Sequence, residues 1–247
     1  MDSPSQRVIV IGGTGGIGSA LVDRLVRAGH RPFLVGRDRE RLAAAAERTG
    51  CPTAVCDATD PDAFDRSADE AVARLGGLDG IVNCAGSILL KPAHLTTVAD
   101  WQATIAANLT TAFAAVRAAG RLLRAEGGSV VLCSSAAARV GLGNHEAIAA
   151  AKAGIVGLVL SAAATYARAR IRFNAVAPGL VRTPLSRGLV SSEPAEKASI
   201  AMHPLGRLGE PDDVAGAIAW FLDPAQDWVT GQVLAVDGGL AELRTRG

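Results

Sequence analysis

The sequence predicts an α/β protein built on a doubly wound parallel sheet, and three observations carry that prediction. Short β-branched runs alternate with alanine-rich segments of helical length along most of the 247 residues. The runs are continuously apolar rather than alternating, as strands buried on both faces are. The first run also passes through a cluster of glycines straight into a helical segment. Alternation of this kind folds with right-handed crossovers that place helices on both faces of the sheet.

The elements follow in order. Residues 8–11 form the first strand and 19–28 the first helix, and strand 33–35 leads to helix 39–48. Strand 53–56 precedes helix 62–75, strand 80–82 precedes a long helix over 101–125, and strand 130–133 precedes a helix over 147–167. Strand 171–176 runs into 183–207, a Ser-, Pro- and charge-rich stretch without a regular period that is expected to cover the substrate. Helix 211–222 and strand 233–236 close the pattern. No repeat, linker or low-complexity tract divides the chain, so residues 1–247 are expected to form one domain with a sizeable core.

Composition narrows the function classes. The 25 Lys and Arg nearly cancel the 24 Asp and Glu, which argues against a nucleic-acid or polyanion partner. No apolar run reads as a membrane span, and the stretch from Met1 to Arg7 is polar, so a cytoplasmic protein is expected. Cys51, Cys56, Cys84 and Cys133 form no CxxC pair and are expected as small buried residues of a reducing compartment. His30, His94, His145 and His203 are isolated, without the spacing of metal ligands.

The glycine cluster reads Ile11-Gly12-Gly13-Thr14-Gly15-Gly16-Ile17-Gly18. Between a buried strand and a helix, such a turn lets a pyrophosphate approach the backbone, with helical N–H groups and dipole facing it. It fits G-x-G-x-x-G at Gly13, Gly15 and Gly18, and equally G-x-x-x-G-x-G at Gly12, Gly16 and Gly18. Thr14, Ile17 and the glycines are therefore candidate cofactor contacts. At the end of the second strand an acid would grip a ribose 2′-hydroxyl, but Gly36 stands there, followed by Arg37. Arg37 suits a 2′-phosphate, and Asp38 reads as a helix N-cap, with a ribose acid as its alternative role. NADP is expected ahead of NAD.

With this turn, with Asn83-Cys84-Ala85-Gly86 after the fourth strand and with Pro178-Gly179 after the sixth, the chain resembles the short-chain dehydrogenase/reductase family. The resemblance runs from Val8 to the Val236-Asp237-Gly238-Gly239 ending. It implies a Rossmann fold with a seven-stranded parallel sheet, a nicotinamide cofactor across its carboxyl edge, a small-molecule substrate and a homotetramer. It also implies roles for single residues. Gly12, Gly16 and Gly18 match pyrophosphate glycines, although Ile11 replaces a usual Thr, and Asp57 matches an adenine contact. Asn83, Ala85 and Gly86 match the segment along the cofactor, Pro178 and Gly179 its continuation, and Thr183 a carboxamide contact. Asn108 matches the Asn of a proton relay, Ser135 the catalytic Ser, and Lys152 the Lys on the nicotinamide ribose.

One departure stands out. The family pattern Y-x-x-x-K here reads Ile148-Ala-Ala-Ala-Lys152, and the only tyrosine, Tyr166, lies about 20 Å further along the same helix. Ile148 cannot donate a proton. Asn144 reads as the N-cap of this helix, with Glu146 as a first-turn charge, which puts His145 on the Lys152 face seven residues earlier. His145 is then a candidate donor, as is a water held by Ser135 and Asn108. The leading expectation is an NADP-dependent oxidoreductase acting between a carbonyl and an alcohol with an altered proton relay. The alternatives are a catalytically silent NADP(H)-binding protein or subunit and a reductase of C=C or C=N bonds.

Overall fold

In the computed structural model, which describes residues 5–244, the carboxyl ends of the first, second and fourth strands lie level. Met1–Pro4 of the polar N-terminal stretch lie outside the described residues. Seven parallel strands, β1 (Arg7–Ile11), β2 (Arg31–Gly36), β3 (Thr53–Val55), β4 (Gly80–Asn83), β5 (Gly128–Cys133), β6 (Ile171–Pro178) and β7 (Val233–Val236), pair in the order β3-β2-β1-β4-β5-β6-β7. Strand order reverses between β1 and β4, which opens a crevice beyond their carboxyl ends. Residues of β1 alternate between the two faces: Val8 and Val10 join one core, Ile9 and Ile11 the other.

The first core is closed by α1 (Gly16–Arg27), α2 (Arg39–Thr49) and α8 (Pro211–Leu222) through Leu21, Leu25, Leu42 and Ile218. The second is closed by α3 (Pro61–Leu75), α5 (Thr111–Leu122) and α6 (Glu146–Tyr166) through Phe64, Ala115, Ile155 and Val159. Local chemistry sets the ends. Asp38 caps α2 by accepting from the Arg41 N–H at 3.0 Å, and Gly50 ends it at φ 71°. Asp60 caps α3 ahead of Pro61.

Four expectations need correction. Helix α1 starts at Gly16, three residues earlier than read, because Gly16 and Gly18 accept helical geometry once packing holds them. The long helix over 101–125 is α4 (Val98–Ile105), a π-helical turn (Ala106–Thr110) and α5; a Thr97–Asp100 capping box starts it early. Residues 183–207 are not irregular throughout: they hold a 3₁₀ turn (Arg187–Val190) and α7 (Glu193–Ala201), capped by Ser192. Short helices punctuated by Ser and Pro leave little period to read. Finally, the helical segment Glu146–Ala169 is long and apolar enough to cross a bilayer, with mean hydropathy 1.9. It is α6 with its last turn, packed by Ile155, Val159 and Ala162 into the core.

Candidate active site

A cleft of about 730 Å³ lies at the crevice, floored by the turn from β1 to α1. Three glycines in this turn exclude any side chain. Gly12 has φ +74°, and a Cβ on it would stand 2.8 Å from the Ala85 nitrogen. A Cβ on Gly16 would stand 2.6 Å from the Thr183 methyl, and one on Gly18 would collide with the Gly12 carbonyl. Gly13 meets mainly the flexible Leu34 side chain, and Gly15 only the Gly12 oxygen at 3.2 Å. Steric need thus selects the reading at Gly12, Gly16 and Gly18. The N-cap, Gly15, offers no side chain, and the first turn of α1 holds no acid. Its N–H groups remain free for an anion, which is the donor set a pyrophosphate requires.

The far end of the cleft is bounded by Gly36, Arg37, Asp38, Arg41 and Asp57. Arg37 is 72% exposed, its guanidinium 3.9 Å from Asp57, whose other oxygen accepts from the Thr59 N–H at 3.0 Å. Arg41 donates to the Thr14 carbonyl from the first turn of α2. Arg37 and Arg41 share this end with Asp38 and Asp57, and no acid stands at position 36. Arg41 escaped the sequence reading, although its place one helical turn after Arg37 was a usable signal.

The cleft wall is Cys84, Ala85 and Gly86. Asn83 does not reach the cleft. Its amide is buried, donating to the Thr111 hydroxyl at 3.0 Å and accepting from the Ala85 N–H at 3.0 Å, so it shapes the wall from behind. Behind Gly86, a Cβ would meet Asn108 Oδ1 at 2.7 Å and Lys152 Nζ at 3.4 Å, so these two polar groups converge on one point. Asn108 is fully buried in the π-helical turn. Its Nδ2 donates to Ser87 Oγ (3.0 Å) and the Thr104 carbonyl (2.9 Å), and its Oδ1 accepts from the Ser87 N–H (3.2 Å). The extra residue of a π turn is a common way to aim one side chain inward.

Lys152 is buried on α6 and donates to the Cys133 carbonyl at 2.8 Å. Burial pulls its pKa below the usual lysine value, partly offset by the neighbouring thiols of Cys133 and Cys84. Ser134, for which the sequence gave no signal, donates to the Lys152 carbonyl at 2.9 Å and pins α6 to β5. Ser135 follows in extended geometry, its hydroxyl accepting from the Ala137 N–H at 3.1 Å. Ile148, one turn before Lys152, is buried, and Tyr166 ends α6 with its ring 5.6 Å from Phe173.

The start of α6 differs from expectation. Asn144 is not its cap: it takes a left-handed φ of 63°, and its carbonyl accepts from the Lys91 N–H at 2.7 Å. His145 occupies the cap position, and its Nδ1 lies 2.6 Å from the Gly143 carbonyl within its own loop. It does not line the 730 Å³ cleft, and neither do Asn108, Ser135 and Lys152. Glu146 accepts from the Ala93 N–H at 3.4 Å.

Thr183 lies in the cleft against Gly16, whereas Pro178 ends β6 and Gly179 opens on a neighbouring cavity beside His203. His203, read from the sequence only as an isolated histidine, is buried: its Nε2 accepts from the Leu180 N–H at 3.1 Å and its Nδ1 faces the Ser199 carbonyl at 2.7 Å. It ties the end of α7 to the turn after β6.

A family model described as enoyl-(acyl carrier protein) reductase matches residues 12–241. The chain is 39% identical over 242 residues to a cis-4-hydroxycyclohexanecarboxylate dehydrogenase of Sinomonas cyclohexanicum, covering 95% of this chain and 96% of that one. It is 37% identical to a tropinone reductase homolog of Arabidopsis thaliana, covering 95% and 92% respectively. A solved short-chain type dehydrogenase/reductase from Mycobacterium ulcerans superposes with TM-score 0.94 at 31% identity, over 99% of this chain and 92% of that one.

Proposed function

The chain belongs to the short-chain dehydrogenase/reductase family, and on that premise we propose that it is an NADP-dependent oxidoreductase interconverting a carbonyl and an alcohol on a small molecule. The observation that carries the cofactor preference is the pair Arg37 and Arg41 at the end of the cleft where Gly36 leaves no acid. The bound dinucleotide would supply or accept the hydride. Gly12, Gly16 and Gly18 with the open start of α1 would hold its pyrophosphate, and Asp57, Ala85, Gly86 and Thr183 would flank the rest. Asn83 would act indirectly, and Pro178 and Gly179 through the turn they form. Residues 1–247 would work as one domain of a cytoplasmic homotetramer. Trp101, Phe113 and Leu160, exposed on α4 to α6, favour oligomerisation, because helices with this much outward apolar surface normally bury it.

For the proton, Lys152 and Asn108, which converge behind Gly86, would act with Ser135 as the relay. The donor is His145 or a water held by Ser135 and Asn108. Holding of His145 Nδ1 by the Gly143 carbonyl leaves its Nε2 free, and the remaining lone pair of Asn108 Oδ1 favours the water. The buried Ile148 favours a second reading, a silent NADP(H)-binding protein or a reductase of C=C or C=N bonds that needs no strong oxygen acid. Calorimetric titration with NADPH and NADH tests the preference. Arg37→Ala should cost NADPH about 1.5–3 kcal/mol of binding and leave NADH unaffected. Equal affinity of the wild type for both cofactors overturns it.

A further inference from the structure

Two cysteines assigned no role meet at the wall of the cleft, Cys84 in it and Cys133 behind it. Cys84 follows β4 and Cys133 ends β5, and their sulfurs lie 3.9 Å apart. Cys133 is buried, whereas Cys84 is half-buried and lines the cleft. The pair touches both halves of the site. The Cys133 carbonyl is the acceptor that holds Lys152 Nζ. The Cys84 and Ala85 backbone packs on Gly12 so closely that a Cβ there would lie 3.0 and 2.8 Å from it.

We propose that Cys84 and Cys133 form a modification site for hydroperoxides: an intrachain disulfide closes between them and disables dinucleotide binding. The consequence for binding rests on the reading of the cleft given above; the disulfide itself does not. Cys84, the residue of the pair that lines the cleft, attacks the terminal oxygen of the hydroperoxide, the O–O bond breaks, and the alcohol or water leaves with a sulfenic acid on Cys84. The Cys133 sulfur then attacks that sulfur, the S–OH bond breaks, and water departs. The two thiols lose two protons and two electrons, and the hydroperoxide becomes an alcohol and water.

Contact with Cys84 and the nearby Lys152 ammonium pull the Cys133 thiol down despite its burial, which suits it to the second step. The Cys133 contact and burial push Cys84 well up, so the first step answers to sustained rather than trace peroxide. Closing the bond brings the sulfurs from 3.9 Å to about 2.05 Å. Cys133 is held in the ladder with β6 by its pairing to Val176, whereas Cys84 lies beyond the end of β4, held only by its N–H bond to the Ile11 carbonyl at 2.9 Å, and is the side that moves. That motion, toward β5, pulls Cys84 and Ala85 away from Gly12 on the β1 side, strains the Cys84 N–H bond to the Ile11 carbonyl, and displaces the turn that accepts the pyrophosphate.

The test treats full-length protein with hydrogen peroxide, alone and with saturating NADPH, followed by peptide mapping and NADPH titration before and after dithiothreitol. The expected result is a Cys84–Cys133 cross-linked peptide and an NADPH affinity lower by about tenfold or more, the loss of one or two charge-assisted hydrogen bonds. Dithiothreitol restores it, and NADPH present during treatment prevents it. In Cys133→Val and, separately, Cys84→Ala, treated and untreated samples bind alike, whereas Cys51→Ser still responds. Oxidation of Cys84 to sulfinic acid without a cross-link overturns the proposal, as does a mapped disulfide that leaves NADPH affinity unchanged. Protein that never binds NADPH yet yields the cross-link refutes the cofactor reading and the switch, and leaves the thiol chemistry standing.

Discussion

Replacing Ile148 with tyrosine puts the missing hydroxyl one helical turn from Lys152, on the same face of α6. Ile148 is only 5% exposed, so the larger ring overpacks its site at a cost of about 1–3 kcal/mol. In a chain of this size that lowers Tm by about 2–4 °C per kcal/mol. The gain is chemical. A free tyrosine has a pKa of about 10, and a buried ammonium beside it favours the phenolate and brings the proton closer to its working range. A placed general acid is worth about 10²–10⁴-fold in turnover, far more than the packing cost at a temperature where the protein stays folded. The assay follows nicotinamide absorbance against a broad carbonyl panel for wild type, Ile148→Tyr and Ile148→Phe, with Phe separating ring size from the hydroxyl. Turnover should rise for Tyr and stay level or fall for Phe. A folded Ile148→Tyr that binds NADPH as tightly as wild type and is no faster refutes the view that this position lacks an acid. Activity in Ile148→Tyr alone, from a wild type that reduces nothing, identifies a silent binder.

Lys152→Met should abolish turnover yet leave the protein no less stable at neutral pH, because a buried charge is exchanged for an apolar chain of similar volume. The folded lysine has a lowered pKa, so its charged form opposes folding below that value and the opposition fades as pH rises toward about 10.4. Any advantage of Met in thermal unfolding should therefore shrink with rising pH; a growing advantage contradicts this. Asp79 accepts from the Arg7 backbone N–H (2.7 Å), Nε (2.8 Å) and Nη2 (2.8 Å). Burial pushes its pKa up, but the bonds from Arg7 outweigh that and hold it below the usual carboxylate value. The pair's contribution, about 1 kcal/mol, is complete above about pH 4 and lost as pH falls through the lowered value. Urea unfolding should show Asp79→Asn weaker than wild type at pH 7 and no different at the acid extreme. Residues 183–207 should gain amide protection when NADPH binds, since Thr183 lies in the cleft; strong, unchanged protection makes the segment a fixed cover.

What the sequence determined is what covalent order and side-chain type dictate. Apolar runs marked the strands, most firmly the inner five, β1, β2, β4, β5 and β6, because a strand buried on both faces tolerates little else. Asp38 marked a helix start through the N–H groups that any helix leaves open. The glycine cluster marked the turn, and the spacing of Ile148 and Lys152 marked the lost hydroxyl. Tertiary contact decided the rest. Only the approach of Ala85, Thr183 and the Gly12 carbonyl shows which glycines must be glycine. Asn83 looked like a cofactor contact but turns toward Thr111, because the carbonyls and N–H groups around the end of β4 need partners. Ser134 and His203 gave no signal, since a hydroxyl or imidazole acquires its role from a partner 18 or 23 residues away. The cap of α6 moved from Asn144 to His145, with the Asn144 carbonyl engaged by a distant N–H, that of Lys91. Local pattern reports which groups need partners, and only the folded chain supplies them.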